Sequence, residues 1–275
     1  MADNSGMTII ERNFFRLLRS GAFGTEEQIE PLSAWKWNRL YQLSVMHDVA
    51  AWVYQGLQRC SDQFFVQVPE ELIKNWSTAT TQTDDDDRNE MLQADRLTHP
   101  VLNHKLQNIL DDEHSTAETR HVLLQLLGIA RFFMNAGIPV KRITNLGITL
   151  RETGRRVDFD QLQTWIGSLQ LKQMVQMASI MLVKLLHFQP EELPFMNEVS
   201  DEEMERRIKE ILEQKNSHAE EWYFSQGKNI FVHTSNSQAM MWHVRRSARY
   251  FKYYPSETVT NFFVSFAHSL SHIEE

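Results

Sequence analysis

Apolar residues return every three or four positions along most of this 275-residue chain, the spacing that lays one face of a helix against a core. Phe14, Leu17 and Leu18 make the first such stripe, behind Thr8-Ile9-Ile10-Glu11, a capping-box pattern in which the Thr8 hydroxyl accepts from the Glu11 amide. The stripe predicts a helix over about 9–20 that stops at Gly21. Ser33 opens a second helix through Trp37, Leu40, Tyr41 and Val45, and Asp48 a third through Ala51, Trp52, Val53 and Leu57. Pro69, followed by Glu70 and Glu71, puts proline at a first helical position and acids at the positive end of the dipole.

A second box, Ser115-Thr116-Ala117-Glu118, starts an apolar helix through Val122, Leu123, Leu126, Leu127, Ala130, Phe133 and Met134, which ends at Gly137-Ile138-Pro139. Helices are predicted next over about 140–153, 159–168 and 171–188, followed by a turn from Pro190 to Pro194. A third box, Ser200-Asp201-Glu202-Glu203, begins a charged helix, and two closing helices over about 237–254 and 256–272 are split by Pro255. Only 62–68 and 229–233 alternate apolar and polar as a half-buried strand would, and no internal repeat is visible. The expected fold is therefore all-α, a compact multi-helix bundle of roughly ten helices with no substantial sheet. It is read as one helical domain, 1–275, within which N-terminal helices (1–76) and a helical body (100–275) are joined by the polar 77–99 segment.

Composition agrees with that reading. Ten Gly and seven Pro are too few for the frequent tight turns of a sandwich or barrel. The net charge of −8 argues against a surface devoted to wrapping duplex nucleic acid. The single cysteine, Cys60, excludes an intramolecular disulfide and a cysteine zinc site, and points to a reducing cytoplasm. The first residues hold no basic region followed by an apolar core, and the apolar stretches are broken by Lys, Arg or Gln. No signal peptide and no membrane span are expected.

The chemistry that needs testing lies in GRRVDFDQL, residues 154–162, where Asp158 and Asp160 stand two apart downstream of Gly147. Two such carboxylates share a metal ion on a strand, where both point to one face, whereas on a helix they lie about 200° apart. The neighbours are not those of a strand. With Asp158 as N-cap, Gln161 completes a capping box, Val157 and Leu162 form a hydrophobic staple, and Asp160 faces the dipole. The aspartate run 84–87 reads as a solvated stretch. Among eleven histidines only His268 and His272 are one helical turn apart, so no metal is predicted. The tryptophans read as core or helix-packing residues. Arg142, Arg151, Arg155 and Arg156 form a second basic cluster, read as a solvated face or as partners for Glu152, Asp158 and Asp160.

The sharpest binding candidate is MMWHVRRSARYFKYY, 240–254. On a helix Arg245, Arg249 and Lys252 line one face beside Arg246 and Tyr253, a set suited to an anion or a nucleic-acid phosphate with an aromatic ring to stack on a base. The bland alternative is an internal ion pair with the acidic segment 201–221.

Several of these stretches resemble one family. A first block, FFRLLRSGAFG (14–24) followed by PLSAWKWNRLYQLSVMHDVAAWVYQGL (31–57), a second, the helical run from His121 to Phe195, and a third, RRSARYFKYYPSE (245–257), are similar to helices of a large group of bacterial nucleotidyltransferase-fold proteins of uncharacterised role. The resemblance covers well over half of the chain and implies a small mixed sheet between the first two blocks, with a metal-binding aspartate pair on a strand. Residues 58–120 read instead as helices with an acidic break, so the catalytic core is expected to be missing. The expectation is a non-catalytic helical relative that acts as an interaction or regulatory protein in the cytoplasm, with a protein partner and no cofactor. Its alternatives are a diverged magnesium-dependent nucleotidyltransferase using Asp158 and Asp160, and an anion or nucleic-acid binder using the 245–252 helix.

Overall fold

The computed structural model describes residues 7–79, 95–136, 140–209, 254 and 260. Among them every regular element is helical and none is a strand. The order is α1 (Ile9–Phe23), α2 (Ala34–Met46), α3 (Ala50–Arg59), α4 (Glu70–Ala79), α5 (Pro100–Leu110), α6 (Ala117–Ala136), α7 (Val140–Thr153), a 3₁₀ turn (Gly154–Arg156), α8 (Phe159–Ser168), α9 (Lys172–Leu186) and a second 3₁₀ turn (Pro190–Glu192). A further helical stretch, α10, covers 201–209. The alternating stretch 62–68 is turn and irregular chain, in keeping with the expected lack of a sheet, since it follows directly on the end of α3 with no strand among the described residues to pair with. The other alternating stretch, 229–233, and the two closing helices, apart from residues 254 and 260, lie outside the described residues. No described helix is long and apolar enough to cross a membrane.

Two helices organise the core. The middle of α1 is buried nearly all round, from Asn13 through Gly21 apart from Arg16, and so is most of α9, from Met174 to Leu182. A helix apolar on every side belongs inside a bundle rather than on its surface. α1 packs chiefly on α3 and also touches α2, α7 and α9, while α6 packs on α7, α8 and α9. One hydrophobic cluster joins these elements, with Trp37, Trp76, Phe14, Phe133 and Phe188 among its fully buried side chains. Each such large apolar group contributes about 1.5–3 kcal/mol on burial. Trp35 departs from the expectation for tryptophan. It is 68% exposed at the start of α2, because the face of α2 that turns inward carries Trp37, Leu40 and Ser44.

The helix boundaries show which sequence signals were read by the backbone. Thr8 and Glu11 form the expected box, with Thr8 Oγ1 accepting from Glu11 N at 3.3 Å and Thr8 N donating to Glu11 Oε2 at 2.9 Å. α1 nevertheless does not stop at Gly21 but runs to Phe23, where Gly24, at φ 71°, supplies the left-handed cap. Gly21 serves the interior instead. A Cβ there would lie 1.7 Å from the Trp52 carbonyl oxygen, and one on Gly56 would lie 2.0 Å from that of Leu17, so the paired glycines let the α1 and α3 backbones meet. Asp48 does not cap α3. It takes a left-handed conformation (φ 53°) in the α2–α3 turn and pairs with Lys141, while Val49 stands at the N-cap. α7 and α8 have the expected bounds, and α9 is shorter than expected at its ends, closed by left-handed His187.

Candidate functional site

Asp158 stands at the N-cap of α8 with extended backbone, and its Oδ1 accepts from Gln161 N at 2.9 Å. Val157 and Leu162 are both buried, as a staple requires. The other half of the expected box is made differently. The Asp158 amide donates not to the Gln161 side chain but to Thr119 Oγ1, at 2.9 Å, from the first turn of α6. Thr119 is free for this because the predicted cap of α6 is shifted by one residue. Thr116, rather than Ser115, accepts from the Thr119 amide (3.2 Å), while Ser115 turns back to the Asp112 carbonyl (2.9 Å). Thr116 and Thr119 hydroxyls lie 2.6 Å apart, and Thr116 Oγ1 reaches the Arg156 carbonyl at 3.4 Å. One assignment uses every donor once: Asp158 N–H to Thr119, Thr119 O–H to Thr116, Thr116 O–H to Arg156 O. Asp158 and Asp160 are both exposed at the start of a helix, and among the described residues no three His, Cys, Asp or Glu side chains converge as metal ligands. Gly147, upstream in the same region, is a packing site. A Cβ there would lie 2.9 Å from Phe188 and 3.1 Å from Phe23.

The four arginines around this motif do not gather. Arg151 lies over the Phe188 ring (4.1 Å to the centroid) and pairs with Glu192 at 3.1 Å, Arg156 pairs with Glu118 at 2.9 Å, and Arg142 sits over Phe132. The ion-pair partners of Arg151 and Arg156 are thus Glu192 and Glu118 rather than Glu152, Asp158 or Asp160. Arg245, Arg246, Arg249, Lys252 and Tyr253 lie outside the described residues, as do His268 and His272. The residue that follows them, Tyr254, is fully buried and donates its hydroxyl to the Leu169 carbonyl at 2.9 Å, in the turn between α8 and α9.

A dense polar cluster among the described residues lies on α1, outside the sequence motifs above. Arg12, Arg16 and Arg19 stand at i, i+4 and i+7 on α1, with Asn13 beside them, and face the segment 24–32 that follows the helix. Arg19, with only 4% of its side chain exposed, makes a two-pronged pair with Glu27 (2.7 and 2.8 Å) and donates Nη1 to the Leu185 carbonyl of α9 at 2.9 Å. Arg12 holds Glu30 in the same two-pronged way (2.8 Å each), and Arg16 joins it at 2.7 Å. The hydrogen bond from Arg12 is the main reason that the Glu30 carboxyl titrates below its ordinary range; desolvation opposes it and the charges of Arg12 and Arg16 add to it. Asn13 clamps the Glu30 backbone from both sides, donating Nδ2 to its carbonyl (2.8 Å) and accepting its amide (3.0 Å). Gln63, beyond α3, does the same for Ile29 N (3.0 Å) and Glu27 O (2.7 Å). His187 stands close enough for its imidazole to be held below the usual value, first by desolvation and then by the Arg19 charge, although water screens part of that effect on an exposed residue. The i, i+4, i+7 arginines and the following Glu26, Glu27 and Glu30 are visible in the sequence, which does not say that they pair.

No protein-family model, no curated protein and no solved structure matches the chain.

Proposed function

We propose that the chain is a non-catalytic helical relative of nucleotidyltransferase-fold proteins, and that it acts as an interaction or regulatory protein through a protein partner. One observation carries the reading: the first two blocks that resemble such proteins pack directly on each other. Arg19 of the first block bonds the Leu185 carbonyl of the second, Phe23 stacks edge-on against Phe188 with ring centroids 5.5 Å apart, and Arg151 covers both rings. Those proteins carry a sheet between the two blocks. Here the described residues of 58–120 hold α4, α5 and the start of α6, and no strand. The two blocks are in direct contact among the described residues, and Asp158 of the 154–162 motif caps α8.

The test sets catalysis against capping at one residue. The purified chain is incubated with magnesium and each nucleoside triphosphate, and diphosphate or pyrophosphate release is followed for the wild type, Asp158→Asn and Asp158→Ala. Asparagine caps a helix about as well as aspartate, whereas alanine loses about 1 kcal/mol. The proposal expects no turnover in any of the three, a melting temperature kept by Asp158→Asn, and one lowered by Asp158→Ala. Magnesium-dependent turnover that Asp158→Asn abolishes, with the fold intact, establishes the diverged enzyme instead. Binding of single-stranded nucleic acid that falls steeply with salt, and falls further when Arg245 and Arg249 are both changed to alanine, would assign the chain to phosphate recognition.

A further inference from the structure

Residues 24–32 form neither helix nor strand, so their backbone has to be satisfied from outside a ladder. Past the Gly24 cap, no backbone–backbone hydrogen bond holds residues 25–32 among the described residues. What holds them is the side chains of Arg12, Asn13, Arg16, Arg19 and Gln63, acting on Glu27, Ile29 and Glu30. Apolar anchoring is slight, with Ile29 buried and Leu32 half-buried. A segment tied by side chains, with few apolar contacts, is the kind that opens locally before the core does. Beneath it lies Cys60, at the C-cap of α3. Its thiol is 3.8 Å from the Glu27 carbonyl of the segment and 3.9 Å from the Ser20 hydroxyl of α1, and the residue is buried.

We propose that residues 24–32 are a latched strap that opens as a unit ahead of the rest of the fold, and that this opening is what uncovers the Cys60 thiol. The latch has two ionic teeth, Glu27 on Arg19 and Glu30 on Arg12 and Arg16, and two amide clips, Asn13 and Gln63. Because the Gln63 amide and the Cys60 thiol both reach the Glu27 carbonyl, the strap cannot leave the one without leaving the other. While the strap is closed, burial pushes the thiol pKa up and keeps it protonated, the unreactive form. Opening would remove that protection at one residue without unfolding the helices, which makes Cys60 a thiol gated by the state of the strap.

Cys60 is the only cysteine, so thiol labelling of the full chain reports this position alone. The rate of reaction with 5,5′-dithiobis(2-nitrobenzoate) is measured over a urea series below the unfolding transition. The strap predicts a rate that rises with urea much more shallowly than global unfolding does. Glu30→Gln should speed labelling without urea by about tenfold, while the urea midpoint by circular dichroism falls by no more than that tenfold loss implies. Arg12→Gln, which removes one tooth from the opposite side, should act in the same direction, so the test survives if one variant folds poorly. Arg206→Ala, which breaks an exposed pair with Glu203 on α10, should label at the wild-type rate. Labelling with the full global urea slope in the wild type and both latch variants would overturn the proposal, since Cys60 would then be exposed only by unfolding. A shallow slope that neither latch variant accelerates would overturn it too, and would assign the exposure to fraying at the end of α3.

Discussion

The strap junction and the Thr116–Asp158 junction do the same job in different currencies. Each ties together elements that are distant in sequence, and each satisfies backbone groups that no helix ladder reaches. At the strap this is done with three guanidiniums, two carboxylates and two side-chain amides. At the start of α8 it is done with two hydroxyls and one carboxylate cap. The difference is in what a single loss leaves behind. Removing one partner of a buried ion pair strands a charge, whereas removing a hydroxyl strands a neutral dipole, which costs less. The ionic junction is therefore brittle to single substitutions and tolerant of paired ones, and the hydroxyl junction degrades gradually.

The largest effect that would sharpen this contrast is at Arg19. Arg19→Ala leaves Glu27 buried without its partner and the Leu185 carbonyl without a donor, and should cost about 3–5 kcal/mol in urea unfolding. Arg19→Met combined with Glu27→Gln should recover most of that loss, and a double variant as unstable as the single one breaks the argument from stranded charge. Next comes Thr119→Val, similar in shape but without the hydroxyl. It leaves the Asp158 amide with no acceptor and should cost about 1–3 kcal/mol, seen as a lower urea midpoint at unchanged slope. Asp158→Ala should cost about 1 kcal/mol, with Asp158→Asn near wild type, in thermal unfolding.

The smallest and most diagnostic effect is with pH. The folded-state pKa of Glu30 lies below its ordinary value of 4.5, so the stability it supplies is fully present above that value and is lost as pH falls through the folded one. The difference in urea midpoint between the wild type and Glu30→Gln should shrink as pH falls from about 6 to about 3. A difference that stays constant, or grows, would show that the Arg12–Glu30–Arg16 group adds nothing electrostatic to the strap.

Local signals in the chain carried most of the helical architecture. The limits of α7 and α8 could be read from Gly154, Asp158 and the apolar spacing, because a cap and a staple are decided within a few residues. The Thr8–Glu11 box was legible for the same reason. The errors came where a distant element competed for a residue. Gly21 looks like a helix stop, yet the approach of the Trp52 and Gly56 backbones uses it as a notch. Gln161 looks like the second half of a capping box, yet Thr119, 39 positions before Asp158, already accepts the Asp158 amide. Cys60 is a lone cysteine in the sequence, and only the fold shows residues 24–32 lying over it. The basic segment 245–252 stays a reading from sequence, since it falls outside the described residues.

What the sequence determined by itself is the class of fold and the positions of most helices, since periodic burial, capping and glycine or proline punctuation act over one or two turns. Only the tertiary structure decided which polar residues are structural ties. An arginine ladder reads the same whether it faces water, an anion or a pair of glutamates, and the choice depends on where the chain returns after Gly24. Burial sets the energy of that choice, because a guanidinium taken out of water has to be met by a carboxylate and a carbonyl held in place by other parts of the chain. Among the described residues that requirement is strongest at Arg19, met by Glu27 and Leu185.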